Sequence, residues 1–108
     1  SAASDVYKRQ VYGKAVIDGQ ETASAAAGTS VEGVLTRYGY PLATTGGIGA
    51  AVVGLDSDWD VIASVANTSI TYSFSGSTDT TCAVTYTQAS GTSTASAAST
   101  TVATGGCN

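Results

Sequence analysis

The chain has 108 residues, enough for one domain, with only 11% charged residues and a formal net charge of −4. Histidine is absent, which excludes His-based acid–base catalysis, Ser-His-Asp triads and His metal sites. Four basic residues are too few for a phosphate-neutralising nucleic-acid surface, so neither an enzyme nor a nucleic-acid partner is expected, and no cofactor is implied.

Ser, Thr, Ala and Gly supply well over half of the sequence, so the core must be thin, as in secreted bacterial β-proteins and surface appendages. Methionine is missing altogether, and no apolar run reaches about 18 residues. The chain therefore reads as a processed or truncated product, with no transmembrane helix and no remaining signal peptide.

Residues 1–18 read as a helix. Ala3, Tyr7, Val11 and Ala15 recur at four-residue intervals, with Val6, Tyr12 and Val16 widening the apolar face, and Asp18-Gly19 supplies the stop. Within it, residues 5–10 (Asp-Val-Tyr-Lys-Arg-Gln) look like the in-frame translation of a sequencing-adapter end, with an ordinary solvated helix face as the other reading. No function is assigned to Lys8 or Arg9, and the native sequence before Val11 is left open.

Gln20–Ser30 suits a loop or a short second helix, and Ser30–Tyr40 a short strand or hairpin edge ended by Pro41. Ile48, Ala51, Val52 and Leu55 then share one face of a short helix over Ile48–Leu55, with Thr45 as its N-cap.

From Trp59 the period changes to two. Trp59–Ala63 is a strand; Ile70, Tyr72 and Phe74 alternate with Thr71, Ser73 and Ser75; Gly76–Asp79 turns. Cys82, Val84 and Tyr86 alternate in the next strand, so the two runs pair as an antiparallel hairpin. Ser90–Thr101 reads as a loop followed by a weak edge strand through Val102. The expected core is Trp59, Ile70, Tyr72, Phe74, Val84 and Tyr86 against the helix, in an α+β fold.

Cys82 and Cys107 are the only thiols. Without histidine they cannot complete a four-ligand zinc site, and there is no C-x-x-C pair. A disulfide is the leading reading and two free buried thiols the other; a disulfide would place the protein outside the cytosol. Closing such a loop stabilises by roughly 3.5 kcal/mol in the chain-entropy model.

Other constellations carry less. Asp56, Asp58 and Asp60 alternate as calcium-loop ligands do, but Val61 and Asn67 stand where an EF-hand needs Gly and Glu, so a solvated loop with Asp capping is the plainer reading. Paired carboxylates without an aromatic-lined cleft do not make a glycosidase. Asn67-Thr68-Ser69 matches a glycosylation sequon, although a plain strand entry suffices, and Gln88–Thr104 could carry O-glycans or simply be soluble surface. Gly46-Gly47-Ile48-Gly49 lacks the lysine and the strand–helix–strand unit of a phosphate loop. The six tyrosines read as core and hairpin residues.

In order and spacing, a set of segments resembles the type IV pilins, specifically the mannose-sensitive haemagglutinin (MSHA) pilin type. They are Val11-Tyr12-Gly13-Lys14-Ala15 with Asp18-Gly19-Gln20-Glu21, Tyr38-Gly39-Tyr40-Pro41, Asp58-Trp59, Ile70–Phe74, Thr81–Tyr86 and Gly105-Gly106-Cys107. The resemblance implies a long helix packed on an antiparallel sheet of about four strands, and a C-terminal loop bounded by Cys82 and Cys107.

Residues 1–18 would then be the C-terminal half of the pilin helix, 19–56 the αβ-loop region, and 57–108 the sheet and disulfide region of a single domain. The family's start (Gly-Phe-Thr-Leu-Ile-Glu-like) and its apolar helical half are not in this sequence. The expected function is a structural subunit of an extracellular pilus serving surface attachment, exported through the inner membrane. Its partners would be other pilin subunits and surface glycans, with this chain alone a monomer. The alternatives are a secreted carbohydrate-binding or adhesin domain, and a pseudopilin of a type II secretion system, toward which calcium on Asp56, Asp58 or Asp60 would point.

Overall fold

A computed structural model describes residues 2–107, the side chains of residues 2–5 and of Asp56 excepted. The fold is α+β: one long helix, a three-stranded antiparallel sheet and a four-stranded antiparallel sheet. The helix α1 (Ala2–Ile17) ends as its sequence dictates. Gly19 takes φ +72, and the amides of Gly19 and Gln20 donate to the carbonyls of Val16 and Ala15 at 3.1 and 2.8 Å, a Schellman closure. Val11 and Ala15 are buried and Tyr7 and Tyr12 half-buried, whereas Val6 and Val16, expected on the inner face, are exposed. Ala3 lies outside the described side chains.

Gln20–Ala27 forms turns, not a second helix. The first sheet follows as β1 (Thr29–Val31), β2 (Val34–Arg37) and β3 (Tyr40–Pro41), joined by two-residue turns at Glu32-Gly33 and Tyr38-Gly39. All four turn residues have positive φ, the type I′ geometry that matches strand twist. Gly39 is needed twice over, because a Cβ there would also press on the Tyr12 ring.

The expected helix over Ile48–Leu55 is broken into two single turns, α2 (Ile48–Ala51) and α3 (Leu55–Asp58). Two successive β-branched residues and Gly54, which takes φ +82, interrupt it, leaving Val53 exposed. Ile48 and Val52 nevertheless both reach the core, with Ala51 and Leu55 packed at its margin, so the face was right although the helix was not. The cap differs as well. Gly47 is the N-cap, and its amide donates to Thr44 Oγ1 at 3.0 Å, not to Thr45.

The second sheet has strand order β4 (Trp59–Val65), β5 (Ser69–Phe74), β6 (Ala83–Thr87) and β7 (Ser99–Ala103). The β5–β6 hairpin pairs Ile70 with Tyr86 and Tyr72 with Val84, as the alternation required. A single turn of 3₁₀ helix (Thr94–Ser96) precedes β7.

The core that covers this sheet differs from the expected one. Ile70, Tyr72 and Tyr86 pack on Ala43, Ile48 and Val52, so the segment between the sheets provides most of the cover. The helix lies chiefly against β3 and α2, with Tyr7 at the core's margin. That cover does not extend to the strand ends. Phe74, expected in the core, is 50% exposed opposite Trp59, and Val84 is only half-buried. Ser73, expected outside, is fully buried, and its hydroxyl is satisfied there by donating to the Cys82 carbonyl at 2.8 Å.

Candidate functional site: the outer helix face and the disulfide-closed end

Three places gather exposed or chemically distinctive groups. The first is the outer face of α1, where Val16 is 48% and Ile17 85% exposed. A helix anchored on one side by Val11 and Ala15 thus presents branched apolar side chains to its surroundings on the other. None of the described helices is long and apolar enough to cross a membrane. The adapter-like stretch is part of α1 without a break, and Lys8 Nζ donates to the Ala98 carbonyl at 2.8 Å.

The second is the far end of the four-stranded sheet. Cys82 and Cys107 are joined in a disulfide with Cα atoms 4.9 Å apart. Around it, the Gly106 amide donates to the Thr81 carbonyl at 2.9 Å, and both the amide and the hydroxyl of Thr81 donate to Asp79 Oδ1 at 2.9 and 2.6 Å. Those bonds, the hydroxyl's foremost, hold the Asp79 carboxyl below its ordinary pKa. Gly106 admits no side chain, since a Cβ would overlap Thr81 Oγ1. Beside the disulfide lies an apolar hollow of about 190 Å³, walled by Trp59, Val84, Val102 and the two cysteines among others.

The third is a hollow of about 150 Å³ between Tyr12, Tyr38 and Tyr40 and the hydroxylated loop Thr92–Thr94. The Tyr12 and Tyr40 rings stack 4.6 Å apart at 20°. Tyr38 occupies a left-handed backbone position (φ +54) that usually takes Asn or Gly. The alternation of the strands gave no hint of this cluster. It arises because the Tyr38-Gly39 turn folds over α1, with the Tyr38 amide donating to the Ala23 carbonyl at 2.8 Å.

The remaining sequence candidates have structural work. Asp60 Oδ2 accepts the Gly76 amide at 3.1 Å and the Asp58 carbonyl accepts the Ser75 amide at 3.0 Å, so both brace the turn after β5. The Asp56 side chain lies outside the described residues, and among those described no group of three His, Cys, Asp or Glu is placed to hold a metal. Asn67 sits exposed, at φ +56, in the turn that enters β5. Gly47 and Gly49 are buried in packing.

Two buried hydrogen bonds that sequence reading missed tie the sheets together. Tyr86 Oη donates to the Pro41 carbonyl at 2.7 Å, and Gln88 Oε1 accepts the Ala43 amide at 3.0 Å. Burial, with Tyr40 nearby as the lesser cause, pushes the Tyr86 hydroxyl far above the usual tyrosine range. This group is a structural donor and not an acid at work. No family model, curated protein or solved structure matches this chain.

Proposed function

We propose that this chain is the globular head of an MSHA-like type IV pilin, a structural subunit of an extracellular pilus that serves bacterial surface attachment. The observation that carries this reading is the outer face of α1, with Val16 and Ile17 unburied on a helix whose other face is fixed to the domain. In the family that the sequence resembles, this half of the helix continues an apolar half, and the joined helices pack at the filament's centre. Burying two aliphatic side chains of this kind is worth about 1.5–3 kcal/mol each, repeated at every subunit. The disulfide-closed sheet end would face outward. Assembly and display are the activity, with no chemistry.

The test supplies an apolar pilin helix ahead of α1 and expresses the fusion in a pilus-assembling host. Filaments should form, and Ile17→Glu should reduce their number severalfold while leaving the denaturation midpoint of the unfused domain unchanged. No filaments, or filaments indifferent to Ile17→Glu, would overturn the reading.

A second reading, a carbohydrate-binding or adhesin domain, draws on one observation: the tyrosine hollow with its rim of Thr92, Ser93 and Thr94 hydroxyls. Surface glycans are the proposed ligands there. Binding that Tyr38→Ala abolishes would favour it.

A further inference from the structure

We infer that the disulfide-closed end of the four-stranded sheet is a docking site for a basic peptide segment. An aliphatic side chain of that segment would fill the hollow beside the disulfide, while its neighbouring Lys or Arg residues meet the carboxylates at this end. The hollow, of about 190 Å³, is walled by Trp59, Val84, Val102 and the disulfide among others. It lies where the core face of the sheet runs out from under its cover. Val61, Tyr72, Val84 and Val102 are consecutive cross-strand partners and so share one face. Tyr72 in that row is buried in the core, whereas Val61 is 43% and Val102 52% exposed. Phe74, the partner of Trp59 in the next row, is 50% exposed. Apolar side chains from all four strands thus come to the surface together.

Charge selects the occupant. Residues 1–37 hold all four basic residues and four acidic ones, so the net charge of −4 belongs wholly to Asp56, Asp58, Asp60 and Asp79. The topology brings the last three to the same end of the sheet as the hollow. Asp58 immediately precedes Trp59, where β4 begins. Asp60 Oδ2 accepts the Gly76 amide, two residues beyond Phe74, and Asp79 Oδ1 accepts the amide of Thr81, next to Cys82. Lys8 bonds to the Ala98 carbonyl, ahead of β7 and so at the opposite end.

The same features disfavour other occupants. Apart from Thr104 and the Trp59 indole, the wall side chains offer a sugar no N–H or O–H group. Nucleic acid and anionic lipid carry the sign of these carboxylates. A second copy turned about a two-fold axis through this end would set the carboxylates against their own image. A basic peptide answers both demands. Its aliphatic side chain leaves water in the hollow, and its cations gain from the carboxylates and from the rings of Trp59 and Phe74. This site does not depend on the pilus reading.

Trp59 is the chain's single tryptophan and lines the hollow, so its fluorescence reports on the site. The test titrates the whole oxidised chain with the peptide Lys-Leu-Lys-Leu-Lys, capped at both ends, up to millimolar concentration. The expected result is a saturable Trp59 shift that weakens severalfold as salt is raised. Glu-Leu-Glu-Leu-Glu and Lys-Ser-Lys-Ser-Lys should each bind at least about tenfold more weakly. Val102→Arg, which puts a cation at the hollow's wall, should abolish the shift, and Asp58→Lys should weaken binding severalfold. Val65→Arg, 57% exposed at the opposite end of β4, should leave binding unchanged. Denaturation midpoints show which variants keep the fold; if Val102→Arg does not, the contrast between Asp58→Lys and Val65→Arg decides. The absence of a saturable shift at millimolar peptide would overturn the proposal. So would equal binding of the glutamate or serine peptide, or an equal loss in Val65→Arg and Asp58→Lys. A Trp59 shift on concentrating the chain without peptide would overturn it in favour of a second copy.

Discussion

The two sheets of this molecule are stabilised by opposite means. The first is small, with nine residues in its strands, yet Val31, Thr36 and Pro41 are almost wholly buried, and α1 covers it. Its one deeply buried hydroxyl is satisfied across the ladder, with Thr36 Oγ1 donating to the Thr29 carbonyl at 2.8 Å. The second sheet is larger, but its burial is confined to β5 and β6, at Ile70, Tyr72, Ser73, Ala83 and Tyr86, and β7 is largely exposed. There the sequence offers Ser, Thr, Ala and Gly, and a disulfide closes the strand's far end. A covalent bond thus does for the C-terminal strand what apolar packing does for the N-terminal sheet.

The contrast can be broken most severely at the bond. Cys107→Ser should cost about 2–5 kcal/mol of stability, read as a lower denaturant midpoint. An unmoved midpoint would mean that β7 holds without its bond.

A smaller effect is expected where the two sheets meet. Tyr86→Phe leaves the buried Pro41 carbonyl without its donor and should cost about 1–3 kcal/mol. The same residue sets an alkaline limit. Because the folded state keeps the Tyr86 proton and the unfolded chain releases it near pH 10, its contribution is complete below about pH 10 and is lost as pH rises further. Stability measured across that range should fall more steeply for the wild type than for Tyr86→Phe.

The smallest effect belongs to the Lys14–Glu32 ion pair, 2.6 Å apart and half-exposed, which links α1 to the first hairpin turn. Lys14→Ala should change stability by no more than about 0.5 kcal/mol, since solvent screens such pairs. A larger loss would show that the first sheet leans on charge as well as on packing.

What could be read from the sequence follows the same division. The α1 stop, the Ile70–Tyr72 alternation against Val84–Tyr86 and the Cys82–Cys107 bond depend on local periodicity or on counting thiols, and they were legible. The errors fall where a residue's fate depends on what lies over it. Phe74 continues the alternation perfectly, but the covering segment ends before it. Ser73 is polar in pattern and buried in fact, where the Cys82 carbonyl accepts its hydroxyl. Val16 belongs to the apolar face by sequence and is left open by the domain, because no described residue packs over that side of α1. The tyrosine hollow is a product of topology, with no local signal at all.

The claim that the disulfide substitutes for packing is tested most directly by amide hydrogen exchange on the oxidised and reduced chain, compared residue by residue. On reduction, the amides of Ser99–Ala103 should lose most of their protection while those of Val34–Arg37 and of the buried stretch Ile70–Tyr72 keep theirs. Unchanged protection in β7, or an equal loss throughout both sheets, would contradict it.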